Sequence, residues 1–290
     1  MNQVYVLFNP LSGNGCGQCE AEALKRFFPD AAVQCRDITT VNDYHAFLSK
    51  LAAEDDLVIC GGDGTLNRFV NQTYDLSFLN RVFYYPTGSG NDFLRDLGKT
   101  VNDGPVQIND YIKNLPQVSV NGKTYRFLNG VGYGIDGYCC EVGEQLRKNG
   151  KKPDYTAIAI KGLLFHYRPT NATVTVDGEE YRYRRVWIAP TMHGRYYGGG
   201  MMAAPAQQRN NQDGQLSLVL MHNAGNIGTL CVFPSIFKGK HVDHTKKVAV
   251  HQGHDITVHF DRPVALQIDG EVITGVSEYR AYSKVPARMK

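Results

Sequence analysis

Over the first hundred residues, short apolar runs alternate with stretches of helical spacing. Val4 to Phe8, Val33 to Ile38, Leu57 to Cys60 and Arg81 to Tyr85 read as strands. The third is apolar at every position, as a strand covered on both faces requires. Between them, Ala21, Leu24 and Phe28 recur at helical spacing until Pro29 stops the pattern. Tyr44, Phe47, Leu48 and Leu51 recur at i, i+3, i+4 and i+7 behind Thr40-Val41-Asn42-Asp43, which fits a capping box. Leu66, Phe69 and Val70 predict a further helix with Thr65 as its cap. Strands alternating with helices through short loops predict an α/β domain, a parallel sheet with helices on both faces.

Beyond residue 106 the pattern changes. Val118 to Phe127 alternates around Asn121-Gly122, and Thr173–Val176 with Tyr181–Ile188 flanks Asp177-Gly178, so both read as hairpins. Leu216 to Met221, Asp255 to Phe260 and Val264 to Ile268 are further strands, with helices expected from Gly137 to Lys148 and from Tyr155 to Tyr167. A mainly antiparallel β domain follows, its boundary near residues 104–110, where Asp103-Gly104-Pro105 breaks the pattern. The expected domains are 1–106 and 107–290, with the last residues free to pack back on the first.

Composition narrows the classes. The chain has 290 residues, 42% hydrophobic and 20% charged, as in ordinary globular proteins. A net charge of +3 is too weak to argue for nucleic acid, yet is compatible with contact at an anionic membrane face. No signal peptide is read at the start, and no apolar run reaches the ~18–20 residues that span a bilayer. Seven scattered cysteines favour reduced thiols and a cytoplasmic setting, possible at the inner membrane face as a peripheral protein. Cys16 and Cys19 form a lone Cys-x-x-Cys, which specifies little without a second pair. His241/His244 and His251/His254 could suggest zinc, but no Cys or carboxylate cluster completes the set.

Three glycine-bearing loops fall at predicted strand ends: residues 9–15, 61–65 and 86–92. Strand, glycine turn and helix bring backbone N–H groups and a helix N-terminus to a phosphate, and side chains at the glycines would block that approach. Asp63, amid Gly61-Gly62-Asp63-Gly64-Thr65, is repulsive to phosphate unless a divalent cation intervenes or it organises the acceptor. A metal-dependent nucleotide site is therefore expected.

Asn9-Pro10-x-Ser12-Gly13, then Gly61-Gly62-Asp63-Gly64-Thr65-Leu66-Asn67, then Pro86-x-Gly88-Ser89-x-Asn91-Asp92-Phe93 resemble, in this order, the catalytic domain of the diacylglycerol kinase family, which includes bacterial soluble lipid kinases and sphingosine kinases. Asn129-Gly130-Val131-Gly132-x-Gly134-Ile135-Asp136, Gly198–Met201 through Asp213–Leu216, and Asp269-Gly270-Glu271 continue the resemblance. It implies a first domain like those of NAD kinase and phosphofructokinase and a β-sandwich-like second domain. The implied activity is ATP- and Mg²⁺-dependent phosphorylation of a lipid hydroxyl, diacylglycerol or a related lipid, entering between the domains. Asn9, Pro10, Ser12, Gly13, Thr39 (or Thr40), Gly61, Gly62, Gly64, Thr65, Asn67, Gly88 and Ser89 would line the nucleotide site. Asp213, with carbonyls of Asn210 and Gln215, would hold magnesium. Glu271 would be the general base, with Asp269 supporting it and Asp63 opposite. The implied partner is a lipid presented at a membrane surface, with peripheral membrane contact and a homodimer allowed, and no nucleic acid.

Two positions depart from the family pattern. Arg68 stands where an acid is common, and Gln215 where a bulkier residue is. Val176-Asp177-Gly178-Glu179 repeats the Asp-Gly-Glu string between alternating strands; local pattern cannot separate the two copies, and order along the family template selects Glu271. Two rival readings are an NAD kinase-like enzyme with a soluble acceptor, which shares Gly-Gly-Asp-Gly-Thr, and a nucleotide-binding protein without turnover.

Overall fold

The computed structural model describes residues 2–88 and 90–283. It divides into two compact units, Met1–Asn114 and Leu115–Lys290. The expectation for the last residues falls on 284–290, outside the described residues.

In the first unit, β1 (Gln3–Phe8), β2 (Ala32–Asp37), β3 (Asp56–Gly61) and β4 (Arg81–Pro86) lie in the order β2-β1-β3-β4, all parallel. A short β5 (Val106–Gln107) adds antiparallel to β4. Every residue of β3 is buried, as its central place demands. One face, with Val4, Val6, Phe8, Val58 and Cys60, packs on Ala21 and Leu24, which lie in and just after α1 (Gly17–Ala23). On the other face Tyr5 meets Phe47 of α2 (Tyr44–Leu48) edge-on, with ring centroids 6.0 Å apart. There too Tyr44 meets Phe69 of α3 (Asp63–Thr73), and Tyr84 meets Phe93 of α4 (Asp92–Asp96). α5 (Asn109–Ile112) ends the unit.

Three local expectations are corrected. α3 starts two residues before Thr65. Gly62 is its N-cap and Asp63 its first residue, because the glycine pair lets the chain enter the helix directly from the strand. The capping box at Thr40–Asp43 does not form. Asp43 itself caps α2, accepting the Ala46 N–H at 2.9 Å, while Thr40 bonds back to the Asp37 carbonyl. α2 ends at Leu48, short of Leu51.

The second unit is antiparallel throughout its ladders. β6 (Gln117–Val120) and β7 (Lys123–Arg126) form the first hairpin, with Asn121 and Gly122 at positive φ as a type I′ turn requires. Then come β8 (Gly130–Tyr133), α6 (Ile135–Lys148), α7 (Tyr155–Lys161), β9 (Thr170–Val176), β10 (Glu179–Val186), β11 (Thr191–Met192), β12 (Leu216–Met221), α8 (Asn226–Val232), β13 (Val248–Gly253), β14 (Asp255–Ile268) and β15 (Glu271–Tyr282). The sheet path runs β13-β12-β11-β8-β14-β15-β6-β7, with the β9–β10 hairpin on β14. The two expected strands 255–260 and 264–268 are one strand, β14, irregular between His259 and Val264. That irregularity lets its first half pair with β9 and its second half with β8, the role a bulge plays in a curved sheet. Tyr133 stacks on Phe260 at 3.8 Å within the core they share with Leu218, Val258 and Leu266. The helix expected over 155–167 is α7 followed by a π turn, Gly162–His166.

Candidate functional site

In the first unit the three glycine loops come together at the carboxyl ends of β1, β3 and β4. Asn9 Nδ2 donates to Thr65 Oγ1 (3.0 Å), joining the first loop to the second. Thr87 Oγ1 donates to Ser12 Oγ (2.8 Å), joining the third to the first. The second and third touch through backbone: a Cβ on Gly88 would fall 2.7 Å from Gly62 Cα, and one on Gly61 would fall 2.6 Å from the Thr65 side chain. Glycine is thus required by close approach as well as by any ligand. Tyr84, wholly buried, donates its hydroxyl to the Gly61 carbonyl (3.1 Å). Ser12 donates to the Asn9 carbonyl (2.7 Å), and Gly13 adopts φ 58°.

Asp63 has a definite task here. Its carboxylate accepts the N–H groups of Asp92 (2.9 Å) and Phe93 (3.2 Å), so it caps α4 from across the site and pins the third loop. Gly64 lies in the first turn of α3, and Asn67 is buried one turn on, its carbonyl accepting the Asn71 amide. Pro10 is half-buried in the first loop. Thr39 is exposed just past β2, its N–H and hydroxyl both on Asp37 Oδ1, with Thr40 beside it. Arg68 is exposed. Ser89 lies outside the described residues. The sequence reading passed over two residues of this cradle. Thr87 ties two loops, and Gly17 leaves no room for a side chain, since a Cβ there would fall 2.0 Å from the Asn9 carbonyl. Only the Gly-rich neighbourhood of the first loop hinted at the latter.

In the second unit the hairpin Asp269-Gly270-Glu271 joins β14 to β15, with Asp269 at φ 47° and Gly270 at φ 94°. Asp269 accepts three backbone N–H groups, those of Leu128 (2.5 Å), Asn129 (2.8 Å) and Gly130 (3.0 Å). These bonds fix the turn to the strand start that carries Asn129-Gly130. Glu271 is exposed as the first residue of β15. Gln267 Oε1 accepts the Gly270 N–H (2.7 Å). Arg209, which the sequence reading did not single out, donates to the Leu128 carbonyl and to Asn129 Oδ1 (2.8 Å for the latter).

Behind this hairpin lies Asp136, at the start of α6 and 8% exposed. A Cβ on Gly132 would fall 1.7 Å from its Oδ2 and 2.4 Å from Gln267 Nε2, so that glycine makes room for both groups. Gln267 and the Tyr197 hydroxyl stand beside the carboxyl, but no donor among the described residues meets either oxygen with hydrogen-bond geometry. Burial pushes its pKa up to about 6.

The turn at 209–215 tests the expected magnesium set. The Gln215 carbonyl already accepts the side-chain amides of Gln207 (2.8 Å) and Asn211 (2.9 Å). Two N–H dipoles aimed at one oxygen put positive charge where a cation would sit, so this carbonyl does not fit as a ligand in this arrangement. The Asp213 carbonyl accepts His254 Nε2 (2.9 Å), the Asp213 side chain and Asn210 are exposed, and the buried acceptor lacking a partner is Asn211 Oδ1. No group of three or more His, Cys, Asp or Glu among the described residues is placed to hold a metal. The histidine pairs disperse: His241 is buried on the Ala203 carbonyl, and His251 meets the Tyr183 hydroxyl. Cys16 and Cys19 are exposed, free thiols.

An α/β unit with three joined glycine loops is followed in the chain by an antiparallel β unit bearing an anchored Asp-Gly-Glu turn, and sequence comparison matches each to a known domain. Residues 3–119 match the diacylglycerol kinase catalytic domain and residues 129–288 the YegS C-terminal NAD kinase beta sandwich-like domain. The second match covers more than half of the chain, which therefore belongs to the family with the YegS C-terminal NAD kinase beta sandwich-like domain, here preceded by a segment similar to the diacylglycerol kinase catalytic domain. A Bacillus subtilis protein named as a lipid kinase is 26% identical, aligned over 100% of each chain. A Mycobacterium tuberculosis diacylglycerol kinase is 24% identical over 94% of this chain and 92% of its own. A solved Bacillus anthracis chain named as a diacylglycerol kinase shares the fold, with TM-score 0.68 at 20% identity over 97% of this chain and 91% of that one.

Proposed function

We propose that this protein transfers the γ-phosphoryl group of ATP, supplied with Mg²⁺, to the hydroxyl of diacylglycerol or a related lipid. The observation that carries the reading is the pairwise joining of three glycine loops at adjacent parallel strand ends, in a chain of this family. N–H groups of Gly62–Gly64, at the first turn of α3, receive the phosphates, while Asn9, Ser12, Thr65 and Thr87 hold the loops around them through bonds to one another, and the N-terminus of α3 faces negative charge favourably. Asp63 keeps the third loop in place. Glu271 accepts the proton of the attacking hydroxyl, and Asp269 holds the turn that presents it. Phosphoryl transfer of this kind depends on positioning and charge neutralisation, which suits a site built from backbone donors. The carbonyl of Gln215 contributes no step.

The test is a panel of lipid acceptors in mixed micelles, with NAD as a soluble control, read by mass spectrometry. Phosphorylated diacylglycerol or a close relative is expected, with Glu271→Gln lowering kcat roughly 10²–10⁴-fold. NADP as the sole product, or full turnover by Glu271→Gln, overturns the reading.

A further inference from the structure

Seven large apolar side chains of the second unit are exposed among the described residues, and five of them lie on two neighbouring segments. Tyr155, Ile160 and Phe165 belong to α7 and the π turn; Ile227 and Phe237 belong to α8 and the 3-10 turn Phe233–Lys238 after it. Phe165 is 76% exposed and Ile227 75%. The two are brought together, because Asn226 Nδ2 donates to the Leu164 carbonyl (3.2 Å), one residue from each. The π turn is part of this arrangement. Its wider winding buries Gly162 and Leu163 and turns Phe165 outward.

The stretches that supply these side chains carry no acidic residue of their own. The chain carries 28 acidic residues, yet none occurs between Asp154 and Asp177 or between Asp213 and Asp243, the stretches that supply all five apolar groups. The rim is basic. Lys161 and Arg168 flank the π turn and are exposed. Arg185 Nε donates to the Ala224 carbonyl (3.3 Å), just before α8, and Lys247 Nζ lies against Gly228 of α8. Arg262 lies over the Tyr167 ring at 5.8 Å; Asp261 beside it takes the Asn171 amide. No helix of the described residues is long and apolar enough to cross a membrane.

We infer that this face of α7, the π turn and α8 docks on an anionic lipid bilayer, with Phe165 and Ile227 entering the interface and the basic rim meeting headgroups. Exposed apolar tips on acid-free stretches, with basic residues beside the two most exposed of them, fit that partner. A second copy of the chain fits badly, since a two-fold contact would oppose two rims of like charge. Nucleic acid would leave the aliphatic and phenyl tips in water. The inference rests on the proposed lipid-kinase activity only for its purpose, that of bringing the enzyme to an acceptor held in a membrane.

Vesicle flotation without ATP or acceptor lipid tests docking apart from catalysis. The full chain is mixed with phosphatidylcholine vesicles, or with vesicles holding about one quarter phosphatidylglycerol. Expected is flotation with the anionic vesicles, weakened by salt, and a drop of roughly tenfold or more in partitioning for Phe165→Ser/Ile227→Ser. Both changes are at exposed positions, and an unchanged melting temperature verifies folding. Arg185→Glu, read the same way, should weaken anionic binding alone. Failure of the unaltered chain to float, or equal flotation of the double variant, overturns the inference. So does a dimer in sedimentation velocity that the double variant abolishes.

Discussion

Asp136 carries an acidic group in surroundings that oppose its charge. Its pKa lies near 6 against an ordinary 3.8, with burial as the main cause. The folded protein therefore binds this proton more tightly than the unfolded chain, so the associated stability is present below pH ~4 and lost as pH rises through 6. Replacing Asp136 by Asn removes the titration. Chemical denaturation across a pH series should show Asp136→Asn more stable than the unaltered protein by up to about 3 kcal/mol at pH 7.5, and equal near pH 4. A gap that does not change with pH would show that the carboxyl is not held as described. A carboxylate kept at such a position against its own hydration usually serves the site it adjoins. Here its neighbour Gln267 holds the Gly270 N–H of the turn before Glu271.

The two Asp-Gly-Glu hairpins show what sequence can and cannot reveal about an element. Asp177-Gly178 and Asp269-Gly270 adopt the same turn, with φ of 49° and 94° in one and 47° and 94° in the other. Each aspartate also bonds to neighbouring backbone N–H groups: Asp177 takes those of His254 and Asp255, both at 2.9 Å, and Asp269 those of residues 128–130. Alternation and the Asp-Gly pair made both hairpins legible, because hairpin chemistry is local. The surroundings of each turn come from contacts across 77 residues or more in one case and 139 or more in the other, which no local pattern encodes. The same limit explains β14. A break at Asp261–Pro263 reads as a gap between strands, but pairing with β9 and β8 carries the strand through it. Asp177→Ala and Asp269→Ala should each lose about 1–3 kcal/mol in urea unfolding, from N–H groups left without their acceptor. Only Asp269→Ala should also lose turnover on lipid. Equal kinetic losses in both variants would mean that the second hairpin holds no special place.

At the scale of the molecule, the first unit was legible as a fold and, in its loops, as a candidate site. Apolar strands, glycine turns and helix spacing are short-range signals, and parallel α/β units put loops at one sheet edge by construction. The pairwise ties Asn9–Thr65 and Ser12–Thr87 were not legible, since they join residues 56 and 75 positions apart. The second unit yielded its strands but not its donor pattern. The Gln215 carbonyl was expected to face a cation, and it faces the amides of Gln207 and Asn211, two side chains without a distinguishing motif. This division of labour can be measured by hydrogen exchange. ATP binds the folded state, so at 100-fold above its Kd it should stabilise the loops that receive it by up to about 2.7 kcal/mol, slowing their exchange accordingly. Protection is expected in residues 9–15, 61–65 and 86–92, with Asp92 and Phe93 included because Asp63 ties them to the second loop. The hairpin at 176–179 should exchange as before. If ATP slows exchange in that hairpin as much as in the loops, the nucleotide acts on the whole chain and the loops are not its seat.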